Sequence, residues 1–157
     1  MNQLRVYLTR QELELWQNGH LAACYPVSTA APGETPDSGC TPRGRHRIRL
    51  KIGAGCPVNT VFVARRPSGE IYTPELSRRF PQRDWILTRI LWLTGEESGR
   101  NRGRGCDTLK RYIYIHGTNQ EDLIGQPVSH GCIRMKNNDL LELFDRVSNN
   151  DPVIIEE

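Results

Sequence analysis

The sequence predicts a mainly β domain. Short apolar–polar alternations recur along most of the chain, and Gly, Pro, Asn and Asp punctuate them. Only one stretch, close to the C-terminal end, has convincing helical spacing. Many short strands and one helix imply a β-rich sandwich or barrel-like domain. The 157 residues suit a single domain, 1–157, with a full-sized core.

Leu4 to Leu8 alternates, and Leu13 and Leu15 continue a period of two. Asn18-Gly19 then separates this run from Leu21–Val27, which is a strong short hairpin signal. Residues 29–44 are loop by composition. Arg45 to Ile52 reads as a half-buried strand, with Ile48, Leu50 and Ile52 on one face and Arg47, Arg49 and Lys51 on the other. Val58–Ala64 is a further strand. Residues 71–81 contain Pro74 and Pro81 and read as a connection, with one helical turn over Glu75–Arg79. Trp85–Leu93, apolar and rich in β-branched and aromatic residues, reads as a central strand. Gly95–Gly105 is an exposed basic loop, Arg111–Ile115 a strand ending at His116, and Val153–Ile155 a last short strand. The helix covers 137–147, capped by Asn138 or Asp139, with an apolar stripe of Leu140, Leu141, Phe144 and Val147.

Composition bounds the function classes. Hydrophobic content of 37% and charged content of 25% are those of an ordinary globular protein. A net charge of +3 is too mild to point to nucleic acid. No apolar run approaches the roughly 18 residues that span a bilayer. Arg5, Arg10, Glu12 and Glu14 interrupt any signal-peptide core at the N-terminus. The expectation is a cytoplasmic protein with no membrane partner, or a periplasmic one if a leader has been trimmed.

Two residues stand out chemically. His116 ends a strand-like run, and Cys132 lies in the turn Ser129-His-Gly-Cys132, beyond a polar loop that holds Gly125 and Pro127. Folding that loop back brings imidazole and thiol together, the minimum apparatus for covalent acyl transfer. Gly131 permits a tight turn, which can aim the Gly131 and Cys132 amides at one point as an oxyanion hole. The start of the following helix favours a thiolate if it points at the sulfur. No acid is adjacent to His116, so a backbone carbonyl serves as its orienting partner; Asp122 is a second possibility, on the loop.

Duller readings compete. The five cysteines hold no C-x-x-C pair; four of them, Cys24, Cys40, Cys56 and Cys106, read as ordinary thiols of a reducing compartment, and a lone Cys such as Cys132 is usually structural. His116, His130, Cys132 and Cys106 could make a metal site, but His-x-Cys spacing is unusual for zinc, so no metal and no cofactor are expected. Arg100, Arg102 and Arg104 could grip phosphates, yet no aromatic is interleaved with them. A solvated loop is the plainer reading, with no nucleic-acid partner.

His116-Gly-Thr118 followed by Ser129-His-Gly-Cys-Ile-Arg134 resembles the signature of the L,D-transpeptidase (YkuD-type) catalytic domain. Leu13–Gly19, Tyr25–Thr29 and Thr41-Pro-Arg-Gly44 are similar to upstream parts of that family, so most of the chain is covered. The resemblance implies a β-sandwich with a helix after the Cys motif and a loop-rich lid, here 74–107. It implies that Cys132 attacks the third-residue carbonyl of a peptidoglycan tetrapeptide stem and that terminal D-Ala leaves. His116 would be the base, held by the Gly117 carbonyl, and the amides of His130, Gly131 and Cys132 would hold the oxyanion. Ser129, Thr118 and Arg134 are carried over as substrate contacts; Arg134 stands where some members have Asn. Muropeptides are the implied partners and carbapenems the implied covalent inhibitors. For a cytoplasmic member, water is the expected acceptor, giving an L,D-carboxypeptidase of murein recycling. An exported member would instead form 3→3 cross-links.

Overall fold

The computed structural model describes residues 1–157. Its strands are β1 (Asn2–Tyr7), β2 (Glu12–Gln17), β3 (His20–Ser28), β4 (Gly44–Ile52), β5 (Thr60–Val63), β6 (Arg66–Ile71), β7 (Ile86–Gly95), β8 (Tyr114–Gly117), β9 (Ile133–Met135) and β10 (Pro152–Glu156). Two helices, α1 (Pro74–Arg79) and α2 (Asn137–Arg146), and a 3₁₀ turn at Glu121–Leu123 complete it. The strands form one sheet in the order β4-β10-β1-β2-β3-β9-β8-β7-β5-β6, and a further β4–β7 pairing closes eight of them into a ring. The sheet is barrel-like, and the β5–β6 hairpin projects from β7.

Alternation explains the local structure. Leu4 and Val6 on β1 and Leu13 and Leu15 on β2 are fully buried, while their neighbours face outward. Asn18 and Gly19 turn the β2–β3 hairpin at φ 53° and 80°, the two positive values a two-residue turn of this kind requires. β4 keeps its period only as far as Ile48. A register shift between Ile48 and Leu50 turns Leu50 outward, to 40% exposure, while His46 shares the inward face with Ile48.

The segment 74–107 is not a continuous lid. Its middle is β7, whose Leu87, Ile90, Leu91 and Leu93 are fully buried. The short α1, started by a Thr73 cap and Pro74, the connection 80–85 and the 96–107 loop lie outside the sheet. Even that loop is anchored. Buried Asn101 donates to the carbonyls of Arg43 and Arg45 and accepts from the Glu97 amide.

α2 buries Leu140, Leu143 and Phe144, and Val147 just beyond its end is buried with them. Leu143 rather than Leu141 therefore completes the i, i+3, i+4, i+7 stripe. These side chains join β-strand residues in one cluster of 20, the main core. Each buried leucine contributes about 2 kcal/mol of transfer free energy. Neither Asn138 nor Asp139 caps α2. The first turn is satisfied from a distance, by Glu121 Oε2 accepting the Asn137 amide at 2.7 Å.

Candidate active site

The β8–β9 pair sorts the motif residues onto two faces. These strands run parallel, with His116 opposite Arg134 and Ile115 opposite Ile133. Ile115, Ile133 and Met135 enter the main core. Period-two alternation then sends Tyr114, His116, Cys132 and Arg134 to the other face, where all four line one cavity of about 280 Å³. The β5–β6 hairpin walls it with Phe62, Ala64 and Arg65, and Asp84, Arg111 and Tyr112 complete much of the rim. His116 and Cys132, separated by a loop in sequence, thus line one pocket.

His116 is buried, and its Nδ1 contacts the Gly117 carbonyl at 2.6 Å. That carbonyl can only accept, so the proton sits on Nδ1 and Nε2 is left as the basic atom. Burial holds the imidazole below its usual pKa, opposed by the Gly117 bond and by Asp84. The loop residue Asp122 makes no bond to the ring; the carbonyl does the orienting.

The Gly117 backbone is itself clamped. Asn137 Nδ2 donates to the Thr118 carbonyl at 2.9 Å, and Thr88 Oγ1 donates to Asn137 Oδ1. A Cβ on Gly117 would overlap Asn137 Oδ1 and lie 2.7 Å from the Leu87 carbonyl. Thr88 takes φ 77° in the β7 irregularity between Leu87 and Ile90, which places its hydroxyl there. Asn137 and Thr88 are positioning residues that the motif did not reveal, because each acts from an element remote in sequence.

Cys132 is held by strand backbone. The Tyr114 amide donates to its sulfur at 3.3 Å, and the thiol donates to the Tyr112 carbonyl at 3.4 Å. Tyr112 adopts φ 57°, and Ile113 follows it before β8 begins at Tyr114, three residues later than the sequence suggests. Burial pushes the thiol up to about 12; the Tyr114 amide, Arg134 and Arg111 pull it down less than burial raises it. The resting pair is therefore neutral thiol and neutral imidazole. α2 does not stabilise a thiolate, because it starts beyond β9 and Glu121 occupies its first amide.

The other motif residues divide. Ser129 is buried inside its own turn: Oγ donates to the Cys132 carbonyl at 2.6 Å and accepts the Gly131 amide at 3.2 Å. It faces the backbone of its own turn and does not line the cavity. Thr118 is likewise buried, with Oγ1 accepting the Gln120 amide at 3.0 Å, and it does not line the cavity. The Gly131 amide is committed to Ser129, whereas the His130 and Cys132 amides of the turn have no such bond. Arg134 does reach the cavity. It donates to Gln120 Oε1 at 3.1 Å and lies 3.9 Å from Asp84.

A second tie was only half legible. Thr41 Oγ1 donates to the Gly131 carbonyl at 2.9 Å and accepts the Ala30 amide, pinning the Thr-Pro loop to the Cys turn. Gly131 has φ 122°, and a Cβ there would meet the Cys40 carbonyl at 3.1 Å. The Cys106 thiol points to the carbonyls of Arg102 and Gly103, and no three His, Cys, Asp or Glu side chains converge to hold a metal. No helix is long and apolar enough to cross a membrane.

The family model of the L,D-transpeptidase catalytic domain, YkuD, matches residues 2–155. The chain belongs to this family. It is 32% identical over 102 residues to a protein named "Probable L,D-transpeptidase YbiS" from Escherichia coli, covering 62% of this chain and 32% of that relative. Among solved structures, L,D-transpeptidase 3 of Mycobacterium tuberculosis with a faropenem-derived adduct superposes with a TM-score of 0.63 at 16% identity, over 99% of this chain and 60% of that one. The L,D-transpeptidase LdtMt1 in complex with imipenem gives 0.59 at 18% identity, over 98% and 58%. At such identities the two structures speak for the fold. The chain spans about a third of the curated relative and under two thirds of either solved chain.

Proposed function

We propose that this domain performs cysteine-dependent acyl transfer on peptidoglycan tetrapeptide stems. One observation carries the reading: a carbonyl-fixed His116 and Cys132 line the same open cavity. Membership of the L,D-transpeptidase family supplies the substrate class.

Cys132 Sγ attacks the carbonyl of the third residue while His116 Nε2 takes the thiol proton. The tetrahedral oxyanion rests on the amides of His130 and Cys132. Its collapse breaks the L,D bond, and the imidazolium returns the proton to the departing D-Ala amine. The resulting thioester is opened by water, giving the tripeptide, or by an amine of a second stem, giving a 3→3 cross-link. Either acceptor loses its proton to His116. A second, polar cleft lined by Ser77, Asp84, Trp85, Gln120, His130 and Arg134 adjoins the first. It offers an acceptor its own approach. The water-resolved reaction is the reading for a cytoplasmic protein of murein recycling, and cross-linking the reading for an exported one.

The test is mass spectrometry of the protein incubated with soluble tetrapeptide muropeptide. Loss of D-Ala alone supports hydrolysis, and a dimer supports transfer. Neither product forms with Cys132→Ala. No reaction of the unaltered protein would overturn the reading. Some relatives of this fold are described with faropenem or imipenem, so a carbapenem adduct on Cys132 is also expected.

A further inference from the structure

The tip of the β5–β6 hairpin is built at a conformational cost. Its two central residues, Ala64 and Arg65, both have left-handed backbones, at φ 49° and 64°. Asn-Gly is the pair such a turn ordinarily selects, because a Cβ is disfavoured in this region. Backbone outliers of this kind persist where the surrounding structure holds them, and they gather at binding sites. Here the turn lays the Arg65 guanidinium over two rings, 4.6 Å from the centroid of Tyr112 and 5.2 Å from that of Trp92. Its Nη1 also donates to the Tyr114 hydroxyl at 3.2 Å. Trp92 packs edge-on against Tyr114 and tilted against Tyr112, so the platform is itself fixed.

Three arginines line the Cys132 cavity, and two are already engaged. Arg134 is beside Asp84 and bonds Gln120. Arg111 donates to the carbonyls of Gly33 and Cys40 and to Ser38. Arg65 has a neutral hydroxyl as its one hydrogen-bond partner and no carboxylate partner. Most of its N–H fork is therefore unspent, in a geometry that matches a carboxylate. Stacking has already removed much of the side-chain freedom that binding would otherwise cost.

We propose that Arg65 is a specificity-determining residue that binds a carboxylate of the stem peptide inside the Cys132 cavity. This rests on the reading of that cavity as the stem site. The carboxylate is either the C-terminal one or one carried along the stem, and the two are separable.

The experiment measures binding without turnover, by calorimetry of Cys132→Ala protein with three soluble tetrapeptides. One is unmodified, one is a C-terminal amide, and one has its internal carboxylates amidated. Arg65→Ala on this background is expected to weaken the unmodified peptide tenfold or more, and Arg65→Lys less. The peptide amidated at the recognised carboxylate should bind the Arg65 protein weakly by a similar factor and lose little further affinity on Arg65→Ala. Unchanged affinity on Arg65→Ala overturns the proposal. So does an equal loss for all three peptides, which would mark a packing role, and so does no binding of any peptide at millimolar concentration. If Arg65→Ala fails to fold, Arg65→Gln takes its place, keeping the stem over the rings without the charge. D-Ala release by the unaltered protein is measured separately. Release with Arg65-independent binding sinks Arg65 alone; Arg65-dependent binding without release sinks the reaction and keeps the carboxylate site.

Discussion

The Gly117 carbonyl accepts the Nδ1–H of His116 at 2.6 Å, and Gly117 itself leaves no room for a side chain against Asn137. The bond that fixes the base's tautomer therefore depends on a glycine two strands and a helix conspire to require. Gly117→Ala should force the carbonyl away, destabilising the fold by about 1–3 kcal/mol and lowering D-Ala release more than stability alone explains. Thermal melting beside single-turnover acylation separates the two; a fully active Gly117→Ala would contradict the clamp.

The neutral resting pair has a signature in pH. His116 titrates below its usual range and Cys132 at about 12. The acid limb of acylation should lie below the pH at which an ordinary imidazole protonates, because burial disfavours the imidazolium. Alkylation by a neutral reagent should climb through pH 9 without levelling. A plateau of alkylation below pH 8 would instead reveal a preformed thiolate–imidazolium pair.

Ser129→Ala should act on turnover rather than on binding. Its hydroxyl joins the Cys132 carbonyl to the Gly131 amide, so the variant loosens the turn that presents both nucleophile and oxyanion donors. A fall in kcat of roughly 10-fold or more with little change in KM is expected. A rise in KM alone would point instead to a substrate contact.

His46 is buried, bonded to the Gly44 carbonyl and Thr108 Oγ1, and burial lowers it to about 4. Between 6.5 and 4 the unfolded chain binds a proton that the folded chain refuses, so stability falls as pH drops through that window. The loss is on the order of 3 kcal/mol, and His116, shifted the same way, adds to it. Urea midpoints from pH 7 to pH 4 should fall steeply, and His46→Gln should flatten part of the slope. An unaltered slope would assign the effect elsewhere.

What was legible follows from where the physics is local. Alternation at Leu4–Leu15, the Asn18-Gly19 turn and the α2 stripe are nearest-neighbour patterns, and each produced its element. The His116 and Cys132 motif was visible because both residue types and their spacing are unusual. β6 was not, since Arg66-Pro-Ser-Gly-Glu-Ile71 is polar and holds Pro67, which only an exposed edge strand tolerates. β9 is three residues long and takes its identity from β3 and β8 rather than from itself. The motif did not show that Ser129 and Thr118 turn toward nearby backbone rather than into the cavity, because a motif names residues without saying which way they face. Thr88, Asn137 and Arg65 escaped because their partners lie far along the chain.

β10 lies between β4 and β1, antiparallel to one and parallel to the other. The chain makes it after every strand it joins, so a nascent chain carrying all nine earlier strands still presents two unzipped edges. Leu4 must wait for Val153. Such distant pairings slow folding and leave strand edges open to other molecules meanwhile. The five residues Pro152–Glu156 work as the bolt of the barrel: without them β1 and β4 have no strand between them and the ring stays open.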